Sequence, residues 1–201
     1  MTLGYLPGVK RNRKQPNIER LEALAKQARD YALHMMRTTG SMPPTVIADT
    51  DEGYVFCMPT ALTDEAAKDR FAEVTKLFAV AYRAQAVVMI VEAWVRLPDA
   101  SGHLDPSIRP SEASDRKEMI ALLMEDGCAS ATRLIPILRD GDEKFTDFGP
   151  DAPLDFSDSE GRFSKLMPRH KPSAADCAKA KQVLFSIGMN VENRGFDPSL
   201  N

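Results

Sequence analysis

Glu92 stands inside an otherwise apolar run, AVVMIVEAWV, at residues 86–95. A carboxylate in such surroundings either has a raised pKa or needs an arginine or lysine beside it. A second concentration of charge follows in SEASDRKE, with Glu112, Asp115, Arg116, Lys117 and Glu118. Glu92 together with Glu118 or Glu125 from an adjacent strand would form a paired carboxylate able to bind a divalent cation or do acid–base work. The candidate carboxylate site is therefore Glu92, Glu112, Asp115 and Glu118. A plainer expectation competes with it. At period two Glu92 shares a strand face with Val88, Ile90 and Trp94, and a face that carries Glu and Trp together is often half exposed. The charge cluster then reads as the polar corner between a proline-rich loop and a strand, with Arg116 pairing to Glu92, Glu112 or Asp115. Lys117 lies between Asp115 and Glu118, which is not the carboxylate–carboxylate–lysine order of a nuclease core. The structural corner is the favoured expectation, with no catalytic residue assigned.

Other signs of chemistry are missing. The chain has no G-x-x-x-x-G-K-[ST], no G-x-G-x-x-G after a strand and no G-x-S-x-G. His34, His103 and His170 are isolated in sequence, without C-x-x-C or H-x-x-x-H spacing, so neither a metal nor a cofactor is expected. Three cysteines at wide spacing suggest a reduced, cytoplasmic protein. Cys57 and Cys128 flank predicted strands and are expected to be small buried hydrophobes.

Partner-binding candidates come from charge. Net charge over 201 residues is −3, so no global field points to nucleic acid or membrane. The polarity is local. Residues 10–37 hold eight basic and three acidic residues, and 140–160 hold one basic and eight acidic. Lys10, Arg11, Arg13 and Lys14 are nucleic-acid candidates. Phe145, Phe148, Asp151, Asp155, Phe156 and Asp158 form an aromatic, acidic set suited to a protein partner. The apolar run at 86–93 is far too short for a bilayer, which needs ~20 residues. The first residues show no apolar h-region, so neither membrane nor secretion is expected.

These groups need elements to position them. Asn17 caps a helix over 18–38 whose apolar face falls at Ile18, Leu21, Ala25, Ala28, Ala32 and Met35, with Gly40 as its stop. Residues 45–48 and 54–58 are β-branched and aromatic and flank a loop ending in Gly53, which predicts a hairpin. Thr63 is expected to cap a second helix ending near residues 83–84. Strands follow over 86–97, 117–125 and 132–139, and Pro136 places the last at an edge or bulge. Ser173 with Asp176 predicts a capping box for a short final helix. The fold class is α+β: an antiparallel sheet of about five strands, order α-β-β-α-β-β-β, with helices on one face. The division is a basic arm (1–16), a globular domain (17–140), an irregular acidic tail (141–172) and a C-terminal helix and end (173–201).

The E-A-W of residues 92–94, followed by P-S-E and D-R-x-E at 110–118 and the strand end M-E-D-G, resembles a family of small bacterial and phage or mobile-element proteins. The resemblance covers about residues 86–127. It implies a cytoplasmic context and a mobile-element origin, and no catalytic residue. The leading functional expectation is a non-enzymatic protein-interaction module. A nucleic-acid binder using the basic arm and an enzyme using the paired carboxylates are the alternatives.

Overall fold

In the computed structural model the chain is described over residues 15–59, 62–97, 104–105, 107–156 and 162–189. The first helix, α1, is Ile18–Thr39. Its Asn17 side chain accepts the Arg20 N–H, and Gly40 ends it at a left-handed φ of 76° that other residues adopt only with strain. Strands β1 (Thr45–Thr50) and β2 (Gly53–Cys57) form the expected hairpin. Helix α2 is Glu65–Ala81, capped by Asp64 rather than Thr63: the Asp64 carboxylate takes the Ala67 N–H at 2.7 Å. Then come β3 (Ala86–Val95), β4 (Lys117–Glu125), β5 (Ser130–Arg139) and β6 (Phe145–Phe148). The capping box of Ser173 and Asp176 opens α3, Ala174–Ser186.

The α+β class holds, with six strands among the described residues in one antiparallel sheet of order β2-β1-β3-β4-β5-β6, against about five expected. The helices do not share one face. α1 packs on Ile47, Val88, Ile90, Ile120, Leu122 and Ile135. Phe71 and Phe78 of α2 and Ala180 and Leu184 of α3 pack with Val46, Ala48, Val87 and Met89, which alternate with the first set and so face the other way. The cause is visible in β3, whose first five residues are all buried: a strand apolar on both sides needs cover on both sides.

The segment expected to be an irregular tail begins with the sixth strand. Phe148 pairs with Ile137, and farther on Asp155 exchanges backbone hydrogen bonds with Thr132. β5 is therefore not an edge strand. Pro136, which lacks an N–H, sits just outside the β5–β6 ladder, and its carbonyl accepts the Gly149 N–H. Past β6, Arg162 holds Glu65 and Asp69 of α2, and Leu166 is fully buried.

Candidate functional site

α1 begins at one end of the sheet, where the Asn17 N–H donates to the Asp126 carboxylate at 2.7 Å. It finishes at the other end, where the chain turns and the Met42 N–H donates to Glu92 Oε2 at 2.9 Å. The sheet face continues past this point. Alternation puts Glu92 and Trp94 on the α1 side of β3, Glu118 on the same side of β4 and Arg139 on the same side of β5. Trp94 lies opposite Glu118 and Glu92 opposite Ile120, so the two glutamates are diagonal neighbours.

Arg139 organises this end. Its Nε and Nη2 donate to the two oxygens of Glu118, both at 2.6 Å. Its Nη2 is 3.7 Å from Glu92, and its Nη1 donates to the Glu143 carbonyl at 3.2 Å. The guanidinium fork holds the Glu118 carboxyl below the usual glutamate range, against some desolvation. Burial raises Glu92, and the neighbouring Glu118 carboxyl adds to the rise, opposed by the Met42 N–H and Arg139. The two acids are thus driven apart in proton affinity. Beside them Trp94 is 44% exposed, with the Arg116 guanidinium 4.4 Å from its ring centre.

Of the four expected carboxylates the structure unites only Glu92 and Glu118. Asp115 belongs to another arginine: Arg96 Nε and Nη2 reach it at 3.0 and 3.4 Å and lower its carboxyl. Arg96 also donates to the Asp105 carbonyl at 2.8 Å, so Arg96 holds the corner that Arg116 was expected to tie. Glu112 ends a short 3-10 turn (Pro110–Glu112) and is exposed. Glu125 lies on the opposite face at the far end of β4, where it is 7% exposed and accepts the N–H groups of Lys165, Leu166 and Met167. Among the described residues no group of three or more His, Cys, Asp or Glu is arranged to hold a metal ion. Glu118, already taken by Arg139, is a poor partner for Glu92 around a divalent cation.

The aromatic, acidic set is largely engaged within the fold. Phe148 is 7% exposed, Phe145 is half-buried, and their rings meet edge to face at 5.1 Å. Arg29 of α1 reaches Asp151 at 2.9 Å and lies 5.6 Å from the Phe148 ring centre. Asp155 pairs with β5 through its backbone, and Phe156 is exposed. Asp158 and the basic residues Lys10, Arg11, Arg13 and Lys14 lie outside the described residues. Cys57 is buried and its thiol is pushed up to about 12 by desolvation; Cys128, expected inside, is exposed in the turn between β4 and β5.

Sequence reasoning located Glu92 and Glu118 and missed Arg139 and Arg96. The usable signal was strand pairing: once the Gly127 turn aligns β4 with β5, Arg139 falls diagonally across from Glu118. Among the described residues no helix is long and apolar enough to cross a membrane. No family model, curated protein or solved structure matches the chain.

Proposed function

We propose that this chain is a non-enzymatic protein-interaction module whose contact surface is the open end of the sheet, centred on Trp94 and Arg116 with Glu92, Glu118 and Arg139 beside them. The carrying observation is an exposed tryptophan under a guanidinium, on a face that α1 leaves uncovered. Tryptophan and arginine are the residue types that most often dominate binding energy at protein interfaces. The acidic, aromatic segment supports this reading less, because Phe148 and Asp151 already serve α1 and β5. Pairing of Glu118 with Arg139 favours binding over acid–base catalysis. Three free cysteines support a reducing compartment such as the cytoplasm, and the mobile-element origin rests on the short motif at residues 92–118.

The test is quantitative capture from native lysate by the full-length chain, compared with Trp94→Ala, with Arg116→Glu and with charge reversal at Lys10, Arg11, Arg13 and Lys14. Trp94→Ala and Arg116→Glu are expected to lose the same partner at least tenfold while melting near wild type. Retention by both, with loss in the arm variant and steep weakening by salt, transfers the function to nucleic-acid contact.

A further inference from the structure

Arg139 stands between two carboxylates and treats them unequally. Its fork closes on Glu118 at 2.6 Å, while the same Nη2 stays 3.7 Å from Glu92 Oε1. The other oxygen of Glu92 holds the Met42 N–H. Two carboxylates thus face one guanidinium, which can balance only one negative charge, so the other is the one a proton would neutralise. Glu92 is the less compensated of the two, since Glu118 has the guanidinium fork and Glu92 has one main-chain amide.

We propose that Arg139 is a proton-governed bridge: it forks onto Glu118 while Glu92 holds the proton, and draws in to span both carboxylates when that proton leaves to water. The movement is small. Nη2 needs to travel only about 1 Å to reach a charge-assisted hydrogen bond with Glu92. The reach of the device is larger. Arg139 Nη1 grips the Glu143 carbonyl in the turn between β5 and β6, and Glu92 grips the turn between α1 and β1 through Met42. One proton is thereby linked to both turns that border the open sheet end.

The charges acting on Glu92 are Glu118 from β4 and Arg139 from β5. Glu143 acts on Arg139 from the following turn. The last turns of α1 carry His34 and Arg37. Just past β3, Arg96 is engaged by Asp115, and Arg116 ahead of β4 lies on Trp94.

Carboxyl carbon NMR titration of the full-length chain from pH 3 to 9, with the Met42 amide and Arg139 Nε–H followed in parallel, tests it. The coupled pair is expected to titrate in two steps, one below and one above the ordinary glutamate range, with both reporter signals moving at the upper step. Glu92→Gln should abolish the upper step and leave both reporters flat there. Glu118→Gln should weaken proton binding at Glu92 at least tenfold, because the like charge is gone and Arg139 is released. Single ordinary titrations of both acids, or an Arg139 signal that ignores the ionisation of Glu92, would overturn the bridge.

Discussion

β4 begins and ends near a glutamate, and the two ends of this strand differ in what satisfies the acid. Glu118 is held by one side chain, Arg139, whose guanidinium also faces Glu92 at 3.7 Å. Glu125, seven residues on and on the opposite face, is held by three consecutive main-chain N–H groups from residues 165–167. Burial raises the Glu125 carboxyl, and those three donors oppose the rise. A carboxylate bound by backbone is part of the wall, because its partners cannot leave without unfolding the segment that supplies them. A carboxylate bound by an arginine that also faces a second acid keeps an alternative arrangement within reach. The closed end is structural, and the open end is where the proposed partner contact and proton response are placed.

The contrast is broken most severely by deleting each acid in turn. Glu125→Ala strands three amide groups, one of them fully buried at Leu166, and is expected to destabilise by about 3 kcal/mol or more. Denaturant unfolding measures this, and limited proteolysis should locate new cleavage near residues 162–170. Glu118→Ala should cost only about 1–2 kcal/mol, since Arg139 keeps partial solvent access and can turn to Glu92. Equal losses at both sites would mean that the Arg139 end is as fixed as the Glu125 end.

Much of this difference was legible along the chain, and the reasons for the gaps are specific. Helices with a clean three-and-four spacing, such as α1 with Leu21, Ala25, Ala28 and Ala32, appear almost at their observed bounds. Glu92 was conspicuous because it interrupts an apolar strand. The second helical layer was encoded in the same strand, where Val87 and Met89 are as apolar as Val88 and Ile90. β6 was hidden because four residues carry too little period. Thr146 and Asp147 are exposed, and only Phe148 is fully committed to the core. The site partners Arg139 and Met42 lie 21 and 50 residues from the acids they hold, so only the strand register and the path of α1 bring them in.

A smaller effect sharpens the account of the open end through its pH dependence. The raised pKa of Glu92 means that the folded state keeps a proton that the unfolded chain releases. Its contribution to stability therefore declines as pH rises from the ordinary glutamate range through the folded value. Glu118 works in the other direction: its stabilisation is present above the ordinary range and is lost as pH falls through its lowered value. Glu92→Gln keeps an acceptor for the Met42 N–H, removes the upper decline and leaves the lower one. Both acids are partly exposed, so the gain over wild type at pH 8 is expected to be only about 0.5–1 kcal/mol. Stability curves from pH 4 to 9 check this, and a Glu92→Gln curve parallel to wild type at every pH would remove the proton from the account.

An equally small change in stability belongs to the residues assigned the largest role in binding. Arg116 lies over an exposed tryptophan, and such a contact at the surface is worth about 0.5–1 kcal/mol. Arg96 is different in kind: its side chain is 11% exposed and ties Asp115 and the Asp105 carbonyl to the end of β3. Loss of this contact in Arg116→Ala is therefore expected to cost about 0.5–1 kcal/mol, and in Trp94→Ala a similar amount. The double variant should lose less than the sum of the single losses, since the contact they share can be removed only once. Thermal and denaturant melts of the three proteins decide it. Strict additivity would show that Arg116 and Trp94 act separately and that the open end lacks the joint aromatic–cation surface on which the binding proposal rests. A sub-additive loss of this size, together with lost capture, would place the cost of changing these residues in recognition rather than in folding.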